Sequence, residues 1–146
     1  SGVNFSCASH DGGDGEPGAI CWGANTSGQL GNINFPDGSA APVAVTMPDG
    51  VGFEQLSAQQ EVVYGRTADG EVYYWGVGPF GDNQDAPTAL PGDTSFTTID
   101  AGSLHGCGIA DDGRLFCWGD NAGGKIGNGT VGGFVETPEP ITCEPN

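Results

Sequence analysis

A tryptophan–glycine block recurs three times, and it constrains this chain more than any other feature. Residues 21–32 read CWGANTSGQLGN, residues 74–83 read YWGVGPFGDN, and residues 117–128 read CWGDNAGGKIGN. Trp22, Trp75 and Trp118 head the copies, at spacings of 53 and 43 residues. Upstream, residues 53–76 align without gaps on residues 96–119. Ala41-Pro42-Val43 matches Ala86-Pro87-Thr88, and a further match begins at Pro140-Ile141. Self-similarity of this period marks a propeller or a solenoid, in which each repeat is one supersecondary unit packed on its neighbours.

The local chemistry of each repeat is that of β-structure. Residues 71–75 and 114–118 are short runs rich in β-branched and aromatic side chains. Asp69-Gly70 and Asp112-Gly113 lie between apolar runs, a hairpin signal. Nothing carries a 3.6-residue apolar period. The pattern predicts an all-β chain of about eleven short antiparallel strands. The repeat boundaries fall at about 1–50, 51–92 and 93–146. The periodicity also changes the meaning of the composition. With 28 Gly and 10 Pro in 146 residues the chain approaches the low-complexity range. Glycines that recur at fixed turn positions instead serve backbone geometry.

The repeat resembles the regulator-of-chromosome-condensation (RCC) family. The residues that carry the resemblance are the CWGxNxxGQLG-type block, Ala101-Gly102-Ser103-Leu104-His105 and Asp112-Gly113. The resemblance implies antiparallel four-stranded blades of a β-propeller, here an open arc of about three repeats, with Trp22, Trp75, Trp118, Tyr64 and Tyr74 in the repeat core. It implies a structural role for His105. Members include an exchange factor on chromatin, secreted protein inhibitors and bacterial surface proteins, so the scaffold does not name the function. The middle copy departs from the pattern. Gln59-Gln60-Glu61-Val62 replaces the AGxxH element, and Gly78 stands where Asn25 and Asn121 stand.

The five cysteines divide by position. With Asp111–Gly113 as a three-residue loop, Cys107 lies opposite Cys117, within reach of a disulfide. The middle copy has Tyr64 and Tyr74 at the same two positions, so both change together. Cys7 and Cys21 form the equivalent pair in the first copy, across a longer loop. The competing reading is five reduced thiols. No CxxC or Cys/His zinc spacing occurs. Disulfides place the chain in an oxidising compartment, extracellular or on the cell surface. Cys143 is left over and is a candidate for an intermolecular link.

Charge excludes several functions. Three basic residues stand against 19 acidic ones, a formal net charge of −16. Arg66, Arg114 and Lys125 are too few and too scattered to bind nucleic acid or an anionic membrane. No apolar run is long enough to span a bilayer. The N-terminal residues lack the pattern of a signal peptide, which a mature chain would have lost.

Candidate chemistry is sparse. Residues 76–81 match GxGxxG, but no βαβ unit surrounds them, and the repeat accounts for each glycine. Asp11, Asp14 and Glu16 lie in a Gly-rich loop found in no other copy, a candidate calcium site against the simpler reading of a solvated loop. Asn4, Asn25 and Asn128 head N-x-Ser/Thr sequons and are candidate glycosylation sites. No GxSxG or other nucleophile motif is present, and no catalytic residue is assigned; the expectation is a non-enzyme.

Three repeats do not close a propeller, which typically takes four to eight blades. Four arrangements stay open: a piece of a longer propeller, a ring of copies, a head-to-tail filament and a compact monomer. The leading expectation is an extracellular structural protein that associates with copies of itself. Two alternatives are a protein-binding propeller like the secreted inhibitors and a glycan-binding adhesin.

Overall fold

The computed structural model describes residues 1–10 and 18–142. Asp11, Asp14, Glu16 and Cys143 lie outside the described residues, so the calcium loop and the intermolecular cysteine have no structural account here.

Among the described residues, eleven strands fall into three antiparallel sheets. The first sheet holds β1 (Phe5–His10), β2 (Gly18–Gly23) and β3 (Ser39–Ala44). The second holds β4 (Gln55–Gln59), β5 (Val62–Arg66), β6 (Val72–Val77) and β7 (Asn83–Ala89). The third holds β8 (Phe96–Ala101), β9 (His105–Ala110), β10 (Leu115–Asp120) and β11 (Phe134–Pro140). Strands run in chain order across each sheet. The first sheet differs from the four-stranded expectation: among the described residues, no strand pairs with the outer edge of β1.

Turn chemistry sets the registers. Asp112 Oδ1 accepts from the Arg114 N–H at 3.0 Å, and Gly113 takes φ of 83° to close the loop. Ala110 N–H then donates to the Arg114 carbonyl at 2.9 Å, which places Cys107 opposite Cys117. The AGxxH substitution has a steric cause. A Cβ on Gly102 would lie 2.1 Å from the His105 ring. Where Val62 replaces the ring, Gln59 fits in place of that glycine. The His105 ring itself sits with Nδ1 3.3 Å from the Ser103 carbonyl.

Alternation along the strands sends side chains to opposite faces, and two seams form between the sheets. The first joins Cys21, Leu30 and Val45 of sheet one to Phe53, Val63 and Trp75 of sheet two. The second joins Val62, Tyr64, Val72 and Tyr74 of sheet two to Phe96, Ile99 and Trp118 of sheet three. Trp118 meets Tyr64 edge-on at 5.7 Å, and Tyr64 lies 6.5 Å from its cross-strand partner Tyr74.

Candidate interaction faces

The seams define a reference for how each face is covered. At the first seam Trp75 is fully buried, and its Nε1–H donates to the Gln29 carbonyl at 3.1 Å. At the second seam Trp118 is equally buried, but among the described residues no backbone carbonyl meets its Nε1–H, which lies beside the Tyr64 side chain instead. The loop that supplies the Gln29 carbonyl is replaced in sheet two by the short turn 78–82. Instead, Asp82 Oδ2 accepts from the Tyr74 hydroxyl at 3.2 Å and from Gln84. Burial, followed by the charge of Asp82 and this hydrogen bond, pushes the Tyr74 phenol up to about 12. Burial raises Tyr64 further still.

The third tryptophan departs from the expected core. Trp22 is half-buried. It lines an open hollow with Ser1, Gly2, Asn4, Phe5, Ser6 and Gly23. The reason is positional: Trp22 and Ser6 share the face of sheet one that points away from sheet two, and no described residue of another sheet covers it. The opposite end shows the matching feature. Leu115 on the outer face of sheet three is 39% exposed, while Val72 and Ala19, at the same repeat position, are 5% and 2% exposed. Cys107, Cys117, Ile126, Val135 and Ile141 form a small apolar cluster on that outer face. The chain thus presents a Trp-bearing face at one end and a Leu/cystine-bearing face at the other.

Both cysteine pairs are joined. Cys7–Cys21 and Cys107–Cys117 each bridge directly opposed strand positions with Cα atoms 4.1 Å apart. Cys21 is sealed in the first seam, and Cys117 sits under the outer face of sheet three.

The sequons separate by burial. Asn25 is 6% exposed. Its Nδ2 donates to the carbonyls of Asn32 and Phe35, and its Oδ1 accepts from the Leu30 N–H at 2.8 Å. A glycan on Nδ2 is incompatible with that geometry, which corrects the expectation at Asn25. Asn121 does the same work in sheet three, accepting from the Ile126 N–H at 3.1 Å and donating to Thr130. Asn128 donates from Nδ2 to Glu139 at 2.7 Å and is half-buried, whereas Asn4 is exposed. The middle loop is short enough for Gly78 N–H to reach the Asp82 carbonyl, so it dispenses with the asparagine.

Each of the three Lys and Arg side chains already has a carboxylate. Arg66 pairs with Glu54 at 3.1 Å, Arg114 with Asp112 at 2.7 Å and Lys125 with Asp120 at 2.7 Å. The remaining surface charge is therefore anionic. Among the described residues no group of three or more His, Cys, Asp or Glu is placed to hold a metal ion. Among the described residues no helix is long and apolar enough to cross a membrane.

Consecutive antiparallel sheets packed face to face through a repeated tryptophan make this a β-propeller repeat protein. Comparison with known proteins narrows the class. Residues 96–124 match the regulator of chromosome condensation (RCC1) repeat. The chain is built of RCC1-type propeller repeats. It is 29% identical over 119 residues to the human E3 ubiquitin-protein ligase HERC2, covering 75% of this chain and 2% of that protein. It is 27% identical over 119 residues to the ultraviolet-B receptor UVR8 of Arabidopsis thaliana, covering 75% of this chain and 27% of that one. The solved structure of Prp20p from Saccharomyces cerevisiae superposes with a TM-score of 0.81 at 24% identity, over 98% of this chain and 37% of Prp20p. The ectodomain of the Physcomitrella patens receptor kinase CR4 superposes with a TM-score of 0.58 at 26% identity, over 83% of this chain and 28% of that one. The chain spans well under half the length of each.

Proposed function

We propose that this chain is an extracellular interaction module that associates head to tail with copies of itself through its two end faces. One observation carries the reading: each end repeats half of a seam that the chain already closes internally. Trp75 and Trp118 are sealed by the preceding sheet, and Trp22 is the same residue with no described sheet over it. Val72 and Ala19 are sealed by the following sheet, and Leu115 is the same position without it. Contacts of this head-to-tail kind generate open assemblies when the rotation does not close. The two disulfides support an oxidising location. The excess of negative charge opposes assembly at low ionic strength and lets salt promote it.

A second reading, docking of a different protein, is favoured by the loops that follow β2 and β10. They expose Ile33 and Val131 at 69% and 76%.

Sedimentation velocity on the purified chain separates the two. The head-to-tail reading expects species that grow with concentration and salt. Leu115→Glu abolishes that growth without changing the circular dichroism spectrum, while Val131→Glu leaves it intact. A discrete monomer up to about 100 μM, where a contact worth about 5.5 kcal/mol would be half-occupied, refutes it.

A further inference from the structure

We propose that Asn128-Gly129, in the loop between β10 and β11, is a self-modifying site. The native loop drives Asn128 through an intramolecular imide to aspartate or isoaspartate, and this unties the loop from β11. The reaction is independent of head-to-tail association.

The bonds balance with water as the co-reactant. The Gly129 nitrogen bonds to Asn128 Cγ, the Cγ–Nδ2 bond breaks, and the Gly129 proton leaves with Nδ2 as ammonia. Water then opens the cyclic imide. Its hydroxyl goes to either carbonyl carbon and its hydrogen to the Gly129 nitrogen. One opening leaves an aspartate at position 128. The other leaves isoaspartate, with the main chain rerouted through the side chain.

Each reacting atom is already placed. Gly129 is exposed at φ of 81°, and a Cβ added to it would meet nothing within 4 Å, so the space beside its nitrogen is open. Asn128 Oδ1 accepts from the Thr130 hydroxyl at 2.7 Å, from the Thr130 N–H at 3.1 Å and from Asn121 Nδ2 at 3.4 Å. Negative charge develops on that oxygen as Cγ becomes tetrahedral, so these donors bind the transition state more strongly than the amide. The leaving nitrogen is held from the other side, where Nδ2 donates to Glu139 Oε2 at 2.7 Å. With both ends fixed, the carboxamide is oriented before attack begins.

The first repeat carries a matched control. Asn32 occupies the same position. Its Oδ1 accepts from the Asn34 N–H at 3.0 Å, and its Nδ2 donates to the Ala44 carbonyl at 2.8 Å. Two things differ. The residue two places on has no hydroxyl to reach Oδ1, and the next residue is Ile33, whose β-branched side chain crowds the attacking nitrogen. Asn32 is half-buried, as Asn128 is, although sheet two already packs on sheet one. The accessibility of Asn128 therefore belongs to the repeat.

Conversion changes what the loop is tied to. A carboxylate at position 128 has no N–H to give Glu139, and two negative charges then face each other where a hydrogen bond stood. The freed segment carries Val131, which is 76% exposed. Nδ2 is also the acceptor atom of the Asn128 sequon, so a glycan and the imide compete for one nitrogen.

The test incubates the 146-residue chain at neutral pH in heavy-oxygen water, beside a synthetic peptide of residues 124–132, and follows both by peptide mass mapping. Asn128 is expected to convert at least about tenfold faster in the native chain than in the peptide, with one heavy oxygen incorporated and isoaspartate among the products. Asn32 converts at least about tenfold more slowly than Asn128 in the same sample. Thr130→Val, with an unchanged circular dichroism spectrum, slows the native reaction by about threefold or more but not that of a peptide with the same change. Hydrogen exchange of residues 129–133 rises in the converted chain, and Asn128→Asp reproduces the rise. A native rate at or below that of the peptide, or equal rates at Asn32 and Asn128, overturns the proposal without any variant. An undiminished rate in Thr130→Val, or loop exchange that does not rise, overturns it as well.

Discussion

The two disulfides occupy the same repeat position in different surroundings, and that difference predicts unequal costs of removal. The chain-entropy relation with closed loops of 14 and 10 residues assigns about 3.0 kcal/mol to Cys7–Cys21 and about 2.7 kcal/mol to Cys107–Cys117. Loop length alone therefore predicts near equality. Packing separates them. Cys21 is fully buried against Leu30, Val45 and Trp75 in the first seam. Replacing Cys7 and Cys21 by Ala deletes the sulfur of Cys21 from the sealed seam and that of half-buried Cys7 from its margin, and the cavity adds about 1–3 kcal/mol. Cys117 is also buried, but in the small outer cluster with Ile126, Val135 and the partly exposed Cys107 and Ile141, whose rim can relax into the space. The double variant Cys7→Ala/Cys21→Ala should thus lose about 4–6 kcal/mol, against about 3 kcal/mol for Cys107→Ala/Cys117→Ala. The first loss is comparable to the whole stability of many domains. Urea unfolding followed by tryptophan fluorescence, at a fixed and dilute protein concentration, measures both through the midpoint at constant slope. A Cys107/Cys117 variant equally or more destabilised would show that seam burial is not the discriminating factor.

Asn25→Ala and Asn121→Ala should each cost about 2–3 kcal/mol in the same assay, because each strands a buried N–H, of Leu30 or Ile126, without its acceptor; a loss below about 0.5 kcal/mol would contradict the role assigned to them. Alkaline pH should destabilise the chain. The phenols of Tyr64 and Tyr74 are raised in the folded state, so the unfolded chain releases those protons first. Stability is full below the ordinary phenol value near 10 and falls as pH rises from there through about 12. Phenolate absorbance should lag behind that of free tyrosine until unfolding begins; coincident titration would contradict burial of the pair.

Much of the fold was legible because it is local. The 43-residue offset exposed the repeat, and a three-residue loop at Asp111–Gly113 was enough to oppose Cys107 and Cys117 by parity alone. The Tyr64–Tyr74 replacement could be read as one event because opposed strand positions face the same way. The sequon at Asn25 shows the boundary: a sequon is a local pattern and burial is not, so the recurrence of Asn25 at Asn121 and its loss at Gly78 pointed to a loop role, while only the structure shows that its Nδ2 is buried and bonded.

What this sequence determined by itself is the content of one repeat: its strands, its turns, its cross-strand pairs and its positive-φ glycines. These depend on neighbours within about a dozen residues. Only the tertiary structure decided which copies of a repeated side chain are covered. Trp22 and Trp75 have the same local sequence context, yet one is half-open and the other sealed. Trp75 finds a backbone acceptor at Gln29, and among the described residues Trp118 finds no such carbonyl. Covering a face or an edge takes a second sheet or strand, and that partner is specified by packing between repeats rather than by the order of residues within one.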